Sequence, residues 1–222
     1  MSIVFPPIYA IIDAGLVKTS ELSFAEMMAE SGVEILQYRS KHATPRQLFE
    51  ICSLLARQWP RLAKHSPRFI VNDRSDIAAL VSAGGVHVGQ SDLGVEQARA
   101  MVGPQLWVGV STHNLQQVAA ANQTSADYIA FGPLFPTSTK EEPDPVVGLD
   151  LLSQARRLTR KPLVAIGGIT LDRAQAVYRA GADSLAVTRD LMAADDPLAR
   201  ARAYLQVAAS VKDAKTGGAA SQ

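Results

Sequence analysis

The stretch PLVAIGGITLDRAQAVYRAGADSLAVTR, residues 162–189, decides the fold. It opens on a short aliphatic run (162–166), turns on Gly167-Gly168, continues as a helix-period segment, and passes through Ala180-Gly181-Ala182-Asp183 into a second run (183–187). A run, a helix and a run at this spacing form one βαβ unit with parallel strands. Working outward, the same alternation fills the chain. Strand-like runs fall at 8–12, 33–39, 68–72, 86–89, 106–110, 127–131, 162–166 and 183–187. Between them, sets such as Leu48-Ile51-Leu55 and Ile77-Leu80-Val81 recur at the spacing of one helical face. Eight strands, each followed by a helix, predict an α/β protein with a single (β/α)8 TIM barrel over residues 1–211. A doubly wound sheet would need fewer units or a second domain. The joints Ser31-Gly32-Val33-Glu34, Ala83-Gly84-Gly85-Val86 and Ala180-Gly181-Ala182-Asp183 echo one another, and a glycine there can close a helix in the left-handed conformation. Residues 212–222 are small and polar and read as a disordered tail.

Composition narrows the function classes. Lys plus Arg (22) balances Asp plus Glu (21), so no basic surplus points to nucleic acid, and no basic amphipathic segment points to a membrane. Residues 1–7 lack a basic region and are broken by Pro6-Pro7, and no apolar run reaches spanning length; the expectation is a cytoplasmic protein. Cys52 is the single cysteine, so no internal disulfide forms, and its apolar helical setting reads as a buried hydrophobe. A homo-oligomer is left open.

In a barrel the chemistry sits at the C-terminal strand ends. Strand two ends Leu36-Gln37-Tyr38-Arg39-Ser40-Lys41, and alternation puts Gln37, Arg39 and Lys41 on one side. Two cations and an amide there make a wall able to grip phosphate oxygens, or else an exposed strand end reaching water. Strand three ends Asn72-Asp73, and the fourth loop carries Gly89-Gln90-Ser91-Asp92. Each Asp is placed to cap the following helix; together they suit Mg2+, which takes one or two carboxylates plus substrate phosphates. Strand five ends Ser111-Thr112-His113, with Ser111 able to meet a substrate ring, His113 read as a cap or packing residue, and His87 inside strand four as structural. After strand six the irregular stretch 132–148 carries Thr137-Ser138-Thr139-Lys140, an anion cradle or a Ser/Thr turn. Gly167-Gly168 and Thr188-Arg189 end strands seven and eight, where this fold often binds phosphate.

Taken together, Gln37-Tyr38-Arg39-Ser40-Lys41, Asn72-Asp73, Gly89-Gln90-Ser91-Asp92, Ser111-Thr112-His113, Gly132-Pro133 through Lys140, and Ile166-Gly167-Gly168-Ile169 resemble the motifs of the thiamine phosphate synthase family, in its order and spacing over residues 8–205. The resemblance implies a transferase that joins a pyrimidine diphosphate to a thiazole phosphate with Mg2+, its partners being small-molecule substrates. It implies Gln37, Tyr38, Arg39, Ser40, Lys41, Asn72, Ser111 and Lys140 around the pyrimidine diphosphate, with Arg39, Lys41, Lys140 and Ser111 as catalytic groups. Asp73 and Asp92 would bind the metal, and Thr137, Ser138, Thr139, Gly168, Thr188 and Arg189 the thiazole phosphate. Ser40, Gly85 and Arg189 depart from the Glu, Asp and Ser usual in the family. The rival readings are a related thiazole tautomerase using His113 as acid and base, a non-catalytic phosphate-ligand sensor, and another barrel isomerase or aldolase.

Overall fold

The computed structural model describes residues 5–137 and 144–219, with side chains through residue 214 at the C-terminal end. Eight parallel strands pair in sequence order and close on themselves, β1 bonding to both β2 and β8. The strands are β1 Ile8–Asp13, β2 Ile35–Arg39, β3 Arg68–Asn72, β4 Gly85–Val88, β5 Trp107–Thr112, β6 Tyr128–Phe131, β7 Leu163–Ile166 and β8 Ser184–Val187. The helices are α1 Glu21–Ser31, α2 Pro45–Leu62, α3 Ser75–Leu80, α4 Val95–Val102, α5 Leu115–Asn122, α6 Gly148–Leu158, α7 Leu171–Arg179, the short α8 Arg189–Met192, and α9 Pro197–Ala219. All eight expected strands are present, with ends shifted by two residues or fewer.

Period-two alternation splits the apolar residues into two cores. Ile8, Ala10 and Ile12 of β1 face the helices, as do Leu36 and Tyr38 of β2. Tyr9, Ile11, Ile35, Ile70, Tyr128, Ala130, Val164 and Ala186 face the barrel axis, and Phe5 stacks on Trp107 beneath them. Helix α2 shows why its segment is helical. Thr44 and Gln47 form a capping box, Pro45 takes the first turn, and Leu48, Cys52, Leu55 and Trp59 bury one stripe. Cys52 is fully buried, as expected.

The joint glycines differ in their reasons. Gly32 and Gly181 are left-handed, at φ 100° and 111°. At the second joint Ser82, just before Ala83, takes the positive φ of 50°, while Gly84 is needed for close approach, since a Cβ there would sit 2.8 Å from the Phe69 amide nitrogen. Helix α9 runs through Lys212 to Ala219, where the sequence reading put a disordered tail. Its Lys-Asp-Ala-Lys segment carries residues compatible with a continuing helix, and the glycines come only at 217 and 218. No helix among the described residues is long and apolar enough to cross a membrane.

Candidate functional site

A cavity of about 450 Å³ opens at the C-terminal ends of the strands. Its walls come from strands β1 to β8 and from the loops and helices that follow them, and its two ends are built differently.

At one end, β2 contributes Gln37 and Arg39, β3 contributes Asn72 and β5 contributes Ser111. Gln37 is buried and its Nε2 donates to the Tyr9 hydroxyl at 2.8 Å. Arg39 is ion-paired to Asp13, the last residue of β1, which also accepts from the Gly15 amide at 3.0 Å. A fixed carboxylate on Arg39 orients the guanidinium before any anion arrives. Asp73 and Asp92 cap no helix. Helix α3 begins after Arg74 and α4 after Gly94, neither with a side-chain cap. Instead the two carboxylates meet across the β3 and β4 loops. Asp73 holds a left-handed φ of 61°, its amide bonded to the His87 carbonyl at 2.8 Å, and Asp92 accepts from the Gly89 amide at 2.7 Å. Burial first, then the charge and hydrogen bond of Asp92, push Asp73 up to about 7, against a smaller downward pull from Arg39 and Asn72. By surface area Asp73 is nonetheless exposed, so solvent screens part of this effect.

At the other end, Gly167 and Gly168 sit at φ 94° and 63°, conformations that disfavour any side chain. A Cβ on Gly168 would also lie 2.6 Å from the Pro136 carbonyl, because the loop after β6 crosses directly over this turn. Leu134 and Phe135 donate their amides to the Ile166 and Gly167 carbonyls at 2.9 and 3.1 Å. Thr137, Thr188 and Arg189 join this wall. So do Arg173, which donates to the Gly168 carbonyl at 2.7 Å and lies over the Phe135 ring, and Arg200, which pairs with Asp190 at 3.2 Å. The combination of arginines, left-handed glycines and the start of α7 suits a phosphate.

The sequence-predicted residues therefore divide. Gln37, Arg39, Asn72, Ser111, Thr137, Gly168, Thr188 and Arg189 line one cavity. Asp73 and Asp92 form a pair beside Asn72. Tyr38 and Ser40 line a separate outer groove, Tyr38 packing among the helices and Ser40 accepting from the Ala43 amide at 3.2 Å. Lys41 is exposed, outside the cavity wall, because the strand ends at Arg39 and alternation no longer governs the next residues. Ser138, Thr139 and Lys140 lie outside the described residues. His113 does not cap α5, a role taken by Asn114; its Nδ1 donates to the Gly132 carbonyl at 2.6 Å, tying β5 to the β6 loop. His87, read as structural, lies in the cavity wall between Tyr128 and Ser111. Sequence reasoning missed Tyr9, Asp13, Arg173 and Arg200. The end of strand one signalled Asp13, and inward alternation signalled Tyr9, but the two arginines arrive from helices.

A family model described as thiamine monophosphate synthase matches residues 8–191. A thiamine-phosphate synthase of Koribacter versatilis is 44% identical over 207 residues, covering 91% of this chain and 95% of that protein. One from Chloroflexus aurantiacus is 44% identical over 196 residues, covering 88% and 89%. Among solved structures, the thiamine phosphate pyrophosphorylase of Pyrococcus furiosus superposes with a TM-score of 0.80 at 31% identity, covering 92% of this chain and 96% of that one.

Proposed function

The chain belongs to the thiamine monophosphate synthase family of transferases, and from that premise we propose that it condenses 4-amino-2-methyl-5-(diphosphooxymethyl)pyrimidine with thiazole phosphate to give thiamine phosphate and diphosphate. The observation that carries this reading is one cavity with two unlike anion-binding ends. One end has Gln37, Arg39, Asn72 and Ser111 beside the Asp73–Asp92 pair; the other has Gly167-Gly168, Thr188, Arg189, Arg173 and Arg200. Two substrates that each carry phosphate and react once, between them, need that arrangement.

In the reaction the bond from the pyrimidine methylene carbon to the diphosphate oxygen breaks, its electrons leaving with diphosphate. The thiazole nitrogen lone pair then forms the new carbon–nitrogen bond. Arg39, held by Asp13, would meet the diphosphate with its direction already set. The resemblance adds Lys41 and Lys140 to that role, and Ser138 and Thr139 to the thiazole phosphate. Asn72 and Ser111 would orient the pyrimidine diphosphate, and the glycine turn would let the thiazole phosphate reach backbone N–H groups.

The Asp73–Asp92 pair fits Mg2+. Both are hard oxygen donors, Asp92 adds to the cost of ionising Asp73, and a bound divalent cation would offset that cost. Among the described residues no group of three or more His, Cys, Asp or Glu could ligate a metal, so diphosphate oxygens and water would complete the coordination. The ion, when bound, supplies charge that makes diphosphate a better leaving group.

The test is incubation of the purified protein with both substrates and Mg2+, each omitted in turn, followed by chromatography. Thiamine phosphate and diphosphate appearing together, and only in the complete mixture, is the expected result. Conversion of the thiazole phosphate alone to an isomer would make the protein a tautomerase. Tight phosphate binding with neither reaction would make it a sensor.

A further inference from the structure

Four hydrogen bonds run without a break across the inner end of the cavity. Gln37 Nε2 donates to the Tyr9 hydroxyl (2.8 Å), Tyr9 meets the Tyr128 hydroxyl (2.9 Å), Tyr128 meets His87 Nδ1 (3.1 Å), and His87 Nε2 meets Ser111 Oγ (2.9 Å). Packing holds the chain in place. The Tyr128 ring fills the space that a side chain at Gly109 would occupy. His87 stacks on Tyr128 with centroids 5.5 Å apart, and Tyr9 meets Tyr128 edge to face at 5.9 Å. Burial raises both phenols above the ordinary tyrosine range, so each keeps its one proton.

One proton on each hydroxyl and one on a neutral imidazole make such a chain directional. With Gln37 donating, Tyr9 donates to Tyr128, Tyr128 to His87 Nδ1, and His87 Nε2–H to Ser111. The Ser111 proton is then left for the cavity, and Gln37 Oε1 is the acceptor at the other end. Turning the Gln37 amide over reverses every link and exchanges the roles of the two ends. A mixed arrangement leaves a buried group unmet, which lowers its population by on the order of tenfold.

We propose that Tyr9 and Tyr128 are positioning residues that tie the hydrogen-bonding sense of Gln37 to that of Ser111, so that the cavity presents one donor and one acceptor together. That pair selects a heteroaromatic ring nitrogen flanked by an exocyclic amine, since the amine donates and the ring nitrogen accepts. The choice of ligand rests on the aminopyrimidine reading above; the chain itself does not. Its members come from β1, β2, β4, β5 and β6, so more than half of the barrel's strands contribute to one contact surface.

The test has two readouts, in the wild type and in Tyr9→Phe, which keeps the ring and removes the two links made by its hydroxyl. The first is 15N NMR of histidine-labelled, ligand-free protein. One His87 tautomer should predominate in the wild type, and a mixture should replace it in the variant. The second is the affinity for 4-amino-2-methylpyrimidine after Gln37→Ala, Ser111→Ala and both. In the wild-type background the losses should be non-additive by about fivefold or more; in the Tyr9→Phe background they should combine within about twofold. Tyr128→Phe removes the two links to Tyr9 and His87 and serves if Tyr9→Phe melts early. An unchanged tautomer population together with additive losses in both backgrounds would overturn the proposal. A tautomer that responds to Tyr9 in a protein that does not bind the pyrimidine would refute the ligand assignment and uphold the chain.

Discussion

Replacing Asp92 with asparagine should stabilise the metal-free protein while stopping the reaction. Asp73 and Asp92 lie close enough that Asp73 is pushed up to about 7, by burial first and by Asp92 second. A pair of unit charges about 4 Å apart repels by roughly 1 kcal/mol in water and roughly 4 kcal/mol near a protein surface. Asp73 and Asp92 are both exposed by surface area, so the lower figure applies. The substituted amide keeps an oxygen to accept from the Gly89 amide, so little else is lost. About 1 kcal/mol corresponds to a rise of about 2–4 °C in Tm for a chain of this size. The pH dependence follows from the sign. A carboxyl whose folded pKa is raised favours the folded state fully below its unfolded pKa, and that contribution is lost as pH rises through the folded value. The metal-free wild type should therefore lose stability between about pH 4 and pH 7 on Asp73's account, and Asp92→Asn should flatten that loss. Thermal melts in chelator at pH 5 and pH 8, beside turnover with Mg2+, measure both effects. A variant that melts lower than wild type at pH 8, or one that keeps its turnover, would refute the pairing.

Asp13→Asn should retain the Gly15 amide bond but free Arg39, lowering kcat/KM by about tenfold, or about 1.4 kcal/mol, in steady-state assays. Gly109→Ala should force its methyl against the buried Tyr128 ring and lower stability by about 1–3 kcal/mol in denaturant melts. Tyr38→Phe should leave turnover within about twofold, because the hydroxyl points to the outer groove near Glu21 rather than into the cavity; a large loss would return Tyr38 to the site.

The barrel was legible because each strand is a short apolar run with a glycine or polar joint on either side, as residues 162–189 illustrate. Reading strand ends also picked out Arg39, Asn72, Ser111, Gly168 and Arg189, which line one cavity because a barrel gathers those ends at one mouth. Period-two spacing carried past the strand set Lys41 beside Gln37 and Arg39, whereas β2 ends at Arg39 and Lys41 is exposed; residues whose partners lie far along the chain were not legible either. Nothing local distinguishes Asp73 and Asp92 as a pair from two helix caps; that distinction depends on two loops meeting. Tyr9 and Tyr128 look like ordinary inward core residues until their hydroxyls are seen to touch. Arg173 and Arg200 lie on helices, whose exposed faces are expected to carry charge in any case.

The claim that one cavity holds two substrates at opposite ends is tested most directly by measuring both Michaelis constants in two variants. Asn72→Ala should raise the KM for the pyrimidine diphosphate by about tenfold and leave that for the thiazole phosphate within about twofold, and Arg200→Ala should do the reverse. Both variants shifting the same constant, or neither shifting any, would contradict the two-ended site.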